Sequence, residues 1–248
     1  MRVLTPSVII DLLSDKLNLY GFRARIASAV LNKKASKYTK PIDHINLCFD
    51  IFHSIPLKYI GWSIAPIQIK QEIQELLSIL SEQNICTMLE IGTANGGTLY
   101  LFSRILDANA RIISLDLPKG KLGGGYESYK IPFFTNFAKE NQQIFLVRTD
   151  SHSPEALTAV KSILKERKID FLFIDGDHTY EGVKIDFQMY SPLVRKCGLI
   201  AFHDIWEGPP ELSGKVNDFW NEIKHTYKHQ EIIGGNNQKG FGIGVLYT

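Results

Sequence analysis

The sequence predicts an α/β protein: seven strands in a largely parallel sheet, the last strand antiparallel, preceded by an N-terminal helical cap. Three observations carry this expectation. Residues 85–97 (ICTMLEIGTANGG) pass from an apolar run into a glycine turn, and Leu99, Phe102 and Leu106 follow at helical spacing. That is the strand, turn and helix of a βαβ unit. From residue 85 onward, apolar runs of strand length alternate with helix-periodic segments, which calls for a parallel sheet covered on both faces. The last two runs are separated only by residues 234–240, too few for a crossover helix, so they pair antiparallel. Together these features describe a Rossmann-like sheet.

The chain has 248 residues, 44% hydrophobic and 22% charged, with a formal charge of +2. This is enough for one large α/β domain with an appendage. We divide it into a helical cap over residues 1–83 and a sheet domain over 84–248. The near-neutral charge gives no reason to expect a nucleic-acid partner. No apolar run approaches the ~20 residues of a membrane helix. The N-terminus meets Asp11 and Asp15 early and lacks a small-residue cleavage site, so no signal peptide is expected and the expected location is the cytoplasm. Cys48, Cys86 and Cys197 are far apart in sequence and read as small hydrophobes in a reducing compartment.

In the cap, residues 7–20 read as a helix closed by Gly21. Residues 22–37 read as a second, with Phe22, Ile26 and Val30 inward and Arg23, Arg25, Lys33, Lys34 and Lys37 on the other faces. Such a basic helix could meet an acidic substrate or a membrane surface, but a solvated face is the plainer reading. Residues 41–55 repeat the pattern with Ile42, Ile45, Phe49 and Phe52. Residues 67–83 carry Ile69, Ile73, Leu76 and Leu80 on one stripe. In the sheet domain the expected strands are 85–91, 111–115, 143–148, 169–174, 198–202, 230–233 and 242–247. The expected helices are 96–107, 128–140, 154–166, 179–190 and 215–227. The helix at Pro154 has the clearest start: Ser153 can cap it, Pro154 suits its first turn and Glu155 suits the dipole.

Ligands of open α/β sheets bind beyond the carboxyl ends of the strands, so the strand ends are where chemistry is sought. The first end supplies Glu90, Gly92, Thr93, Asn95 and Gly96. Its spacing, Glu-x-Gly-x-x-x-Gly, differs from the pyrophosphate pattern, and an acidic residue there would repel phosphate. It suits a ligand with hydroxyls and a cationic amino-acid end, such as S-adenosylmethionine. Asp116 ends the second strand and can accept from two ribose hydroxyls. Asp150 and Ser151 end the third, where Asp150 could take an adenine amino group or cap a helix. The fourth end is IDGDHTYEG and the fifth AFHD. They bring Asp175, Asp177, His178, His203 and Asp204 to neighbouring positions, a donor set for Mg²⁺ or, with imidazole, for Mn²⁺, Fe²⁺ or Zn²⁺. The glycines 123–125, flanked by Tyr126 and Tyr129, could form a lid. Trp62, Tyr126 and Trp206 could wall an acceptor pocket, though plain packing explains each as well.

Taken in order, LEIGTANGGT, ISLDLP, the GGGY loop, IDGDHTYEGVKIDF and LIAFHDI resemble the bacterial class I S-adenosylmethionine-dependent methyltransferases. The relatives meant are the macrolide-sugar O-methyltransferases and the cephalosporin-biosynthesis methyltransferase proteins. The similarity runs from about Gln68 to the C-terminus. It implies strand order 3-2-1-4-5-7-6 and S-adenosyl-L-methionine as cofactor, contacted by Glu90, Gly92, Thr93, Asn95, Gly96, Asp116, Asp150, Ser151 and Asp175. In the metal-dependent relatives an aspartate after the fourth strand and an acidic pair after the fifth bind Mg²⁺. Asp175 and Asp204 match, while His203 stands where the macrolide enzymes carry an acid. Those relatives use a histidine three residues after the first aspartate as general base, and His178 matches.

The activity so implied is methyl transfer to a hydroxyl of a small molecule or sugar, assisted by a divalent metal on Asp175, His203 and Asp204. A non-catalytic, S-adenosylmethionine-binding accessory subunit of a biosynthetic complex is the alternative. A metal-dependent hydrolase or oxygenase would leave Glu90, Asp116 and the glycine turn without a role. The partner expected is a hydroxylated acceptor, with no nucleic acid and no membrane span, and the cap helices offer a face for a homo-oligomer.

Overall fold

The computed structural model describes residues 20–51, 64–118, 125–209, 214–235 and 238–248. Most of the expected helix 7–20, Trp62 and most of the glycine loop lie outside these residues. Seven strands form one sheet: β1 (Thr87–Ile91), β2 (Arg111–Asp116), β3 (Gln143–Arg148), β4 (Ile169–Ile174), β5 (Val194–His203), β6 (Lys228–Ile232) and β7 (Ile243–Tyr247). Their order is β3-β2-β1-β4-β5-β7-β6. The first five run parallel, and β7 pairs antiparallel with both β5 and β6. The expected order and the closing hairpin are both present.

Strand alternation divides the core. Met88, Ile112, Phe171, Phe173, Leu199 and Ala201 face one apolar cluster, and their neighbours Leu89, Ile113, Leu172, Ile174, Ile200 and Phe202 face the other. Side chains two apart share a face, so every central strand is buried on both sides, as a parallel sheet requires. On the first face lie α1 (Tyr20–Ala35), α2 (Pro41–Ile51), α3 (Lys70–Ser81), α4 (Gly97–Ile105) and α5 (Ile131–Thr135). On the second lie α6 (Pro154–Leu164), α7 (Tyr180–Tyr190) and α8 (Val216–Ile223). The cap helices have no core of their own: Leu31, Ile45, Ile73, Leu76 and Leu80 merge with Phe102, Phe171 and Phe173 in one cluster. Among the described residues no helix is long and apolar enough to cross a membrane.

Several local expectations change. Gly21 does not end a helix; it lies in the first turn of α1. The buried face of α1 is Arg23, Ala24, Ala27, Ser28, Leu31 and Ala35, while Phe22 is 62% exposed. Small side chains let this helix lie close to its neighbour, where Asn136 donates to the Ser28 hydroxyl at 3.0 Å. Arg25, Lys33 and Lys37 are exposed, so that side of the helix is solvated. The helix expected over 128–140 shrinks to a 3₁₀ turn (Ser128–Lys130) and α5. Phe133, Phe134 and Phe137 are buried together there, and Glu140 turns the chain at φ 51°. Gln142 then reaches back to the carbonyls of Ser103 and Asp107 at 3.0 Å, closing the end of α4. Cys48 is buried as expected, but Cys197 is exposed. The α6 start is as expected, with the Ser153 hydroxyl accepting from the Ala156 amide.

Candidate active site

The turn after β1 is fixed from below. The Gly92 amide donates to the Leu115 carbonyl at 2.9 Å, and the Asp175 amide donates to the Ile91 carbonyl at 2.8 Å. Gly92 sits at φ +97°, and a Cβ there would run into the Asp175 backbone carbonyl. Only glycine allows the turn to lie this close to the end of β4. Asp116 Oδ2 accepts from the Thr93 amide at 3.0 Å and the Ala94 amide at 2.8 Å. Burial raises the Asp116 carboxyl, and amides of Ala94, Thr93, Leu117 and Gly125 oppose the shift. In this conformation Asp116 holds the turn itself.

Glu90 is wholly buried, its two oxygens accepting from the Thr98 hydroxyl at 2.6 Å and the Ser114 hydroxyl at 2.7 Å. Burial pushes its carboxyl up to about 8, against those two bonds. Glu90 shares the Met88 side of β1, under α4, and meets the turn through Thr98 and, by way of Ser114, through Thr93, the hydroxyls of Ser114 and Thr93 lying 2.5 Å apart.

Gly92, Thr93, Ala94, Asn95, Gly97, Thr98 and Asp175 line a pocket whose other wall is Ala65, Pro66, Ile67 and Gln68. Gly97 explains how that wall comes so near: a Cβ on it would lie 2.6 Å from the Ile64 carbonyl oxygen and the Pro66 nitrogen. Thus Gly92, Thr93, Asn95 and Asp175 come together as expected. Gly96 caps α4 in a left-handed conformation. Asp150 and Ser151 do not line this pocket: Asp150 is exposed and accepts from the His152 amide, and the Ser151 carbonyl accepts from Tyr190. Tyr126 is buried against Phe134 rather than forming a wall, and Trp206 is partly exposed, donating to the Gln238 carbonyl.

Beside the pocket the ends of β4 and β5 form a four-group cluster. His178 Nδ1 lies 3.0 Å from Asp204 Oδ2, and its Nε2 lies 3.5 Å from Asp175 Oδ1. His203 Nδ1 lies 3.1 Å from Asp175 Oδ1 and 3.4 Å from Asp204 Oδ1. Asp204 and His203 are almost fully buried, and His178 is the most open of the four. Burial would raise the Asp175 carboxyl, but the His203 charge and bonds from both imidazoles hold it down at about 2. Burial would lower His178, but bonds to Asp175 and Asp204 push it up to about 10. His203 is raised as well, its burial outweighed by Asp175 and Asp204. Asp204 adopts φ +62°, a left-handed conformation that few non-glycine residues take. Among the described residues, the set whose ligand atoms converge within 4.8 Å is Asp175, His178 and Asp204. His203, the imidazole of the expected set, meets the same two carboxylates from the other side.

Sequence reasoning missed Gln68, which is 4% exposed and donates to Asp175 Oδ2 at 2.6 Å. It lies on the cap side, a polar residue before a helical stripe, and nothing local marks it.

Comparison with known proteins accords with this geometry. Residues 89–205, the span from β1 to just past Asp204, match the family described as Methyltransferase domain. Over 167 residues the chain is 30% identical to the uncharacterized protein R132 of Acanthamoeba polyphaga mimivirus, covering 65% of this chain and 73% of that one. The chain belongs to the class I S-adenosylmethionine-dependent methyltransferases. The methyltransferase is also 25% identical over 120 residues to the uncharacterized protein y4gI of Sinorhizobium fredii, covering 47% of this chain and only 13% of that longer protein. Its fold is similar to that of an O-methyltransferase from Bacillus cereus in complex with S-adenosylhomocysteine. There the TM-score is 0.56 and the identity 16%, over 91% of this chain and 100% of the other. It is similar too to the O-methyltransferase TomG from Streptomyces achromogenes, with TM-score 0.53 and 15% identity over 89% and 96% of the two chains.

Proposed function

We propose that this methyltransferase transfers the methyl group of S-adenosylmethionine to a hydroxyl oxygen of a small molecule, a sugar hydroxyl being one such acceptor, with a divalent metal ion held by the carboxylates of Asp175 and Asp204 and with His178 beside them as the base. The observation that carries this reading is the convergence of Asp175, His178 and Asp204, of which Asp175 also lines the pocket under the glycine turn. Two carboxylates that converge at one point suit Mg²⁺ or Mn²⁺.

In-line transfer forms the carbon–oxygen bond as the carbon–sulfur bond breaks, and the hydroxyl proton must leave. The turn and Asp175 set the donor's place, and catalysis rests mainly on positioning. His178 is the member of the cluster most open to the crevice, so it is the group placed to take the proton. Held between two carboxylates it already carries one at neutral pH; it serves as base only when neutral. A bound divalent ion would polarise the acceptor hydroxyl and offset the carboxylate charge that holds the His178 proton.

The test is S-adenosylhomocysteine release from S-adenosylmethionine and a panel of hydroxylated acceptors, with EDTA and with Mg²⁺ or Mn²⁺ restored. We expect release that EDTA abolishes and metal restores. Full turnover in EDTA would remove the metal from the reading. Donor binding without turnover on any acceptor would favour an accessory role.

A further inference from the structure

The wall opposite the glycine turn comes from the segment that leads into α3. Along it the side chains alternate: Ile67 is 62% exposed, while Gln68 is 4% exposed and turned inward. Its amide group is half used. Nε2 donates to Asp175 Oδ2 at 2.6 Å, and Oε1, also buried, has no hydrogen-bond partner among the described residues. The orientation is not arbitrary, because a carboxylate oxygen accepts and so takes the NH₂ side of the amide. That leaves the carbonyl oxygen for the pocket. A buried acceptor without a partner is costly to fold, and such a group calls for an explanation beyond packing.

We propose that Gln68 is a cofactor-binding residue of this methyltransferase: its Oε1 receives the ammonium group of the methyl donor's amino-acid end, while its Nε2 fixes the Asp175 carboxylate. The proposal rests on the methyl-donor reading of the pocket. The ligand beside the turn must place three N–H donors of a cation somewhere, and an amide carbonyl suits a cation without adding a charge to the neighbouring carboxylates. Gln68 thereby joins donor binding to the side chain that also belongs to the acidic cluster. It also makes the segment before α3 part of the active site.

The experiment is a calorimetric titration of S-adenosylhomocysteine and of its analogue lacking only the amino group, against the wild-type chain and Gln68→Met, which keeps the length of the side chain. The wild type should prefer S-adenosylhomocysteine about tenfold, and Gln68→Met should lose that preference, binding the two ligands with equal affinity. If Gln68→Met fails to fold, Gln68→Ala gives the same comparison. A preference that persists in Gln68→Met or Gln68→Ala, an equal loss of both ligands, or no preference in the wild type overturns the role of Gln68. A wild type that binds neither ligand overturns the methyl-donor reading itself.

Discussion

Glu90 shows how the direction of a side chain two positions before a glycine turn is decided by its neighbours. The acidic residue before the glycine turn was legible, but which way it points depends on the face of β1, and both faces are apolar. The structure puts it under α4, bonded to Thr98 and Ser114. Its folded pKa is raised to about 8 from 4.5. A carboxyl raised in this way contributes stability that is full below the unfolded value and lost as pH climbs toward and through 8. Glu90→Gln removes that loss. Melting temperatures measured across pH should show the variant gaining on the wild type between pH 5 and 9, and parallel curves would contradict the assignment. Asp204 offers the opposite case. It is buried, paired with both imidazoles and held at φ +62°. Removing one member of a buried ionic cluster leaves the others uncompensated, at about 3–5 kcal/mol. Asp204→Asn in metal-free protein should therefore lower the urea-unfolding free energy by about 3 kcal/mol; a change within 0.5 kcal/mol, about the range of an ordinary surface substitution, would mean the cluster is solvated.

At the scale of elements, what the sequence revealed was existence and type, and what it hid was faces and ends. The central parallel strands were readable because a strand buried on both sides is a plain apolar run, while β3, at the edge, is only half-buried. The inward face of α1 was not, because it is made of alanines, a serine and an arginine while Phe22 lies outside. The end of α5 was hidden too, since nothing in FFTNFAKE announces a left-handed Glu140. Polar tethers between distant elements leave no local trace at all. Glu72, fully buried on α3, accepts from the Gly234 and Gly242 amides and from Gln238, which ties the β6–β7 connection to the cap. Glu72→Ala strands the Gly242 amide, at about 1–3 kcal/mol, and leaves Gly234 and Gln238 only their bonds to Gln238 and Gly240. It should destabilise the chain well beyond Ser153→Ala, a helix cap worth about 1 kcal/mol. Paired denaturant titrations test the ranking, and equal losses would show that the connection pairs with water instead.

For the molecule as a whole, the division at residues 83 and 84 separates sequence patterns but not a core. Leu76, Leu77 and Leu80 of α3 pack in the same cluster as Phe102, Phe171 and Phe173. At about 1.5–3 kcal/mol for each fully buried leucine, these three contribute a gross ~5–9 kcal/mol, comparable with the ~5–15 kcal/mol net stability of a whole domain. The pocket crosses the same boundary, with Ala65 to Gln68 on one side and the glycine turn on the other. A chain of residues 84–248 alone would expose the Phe102 side of the sheet and lose one wall of the pocket. We expect it to give no cooperative unfolding transition and no S-adenosylhomocysteine binding, read by denaturant titration and calorimetry. A cooperatively folding fragment with wild-type affinity would show instead that the cap is dispensable and that Gln68 has no part in holding the donor.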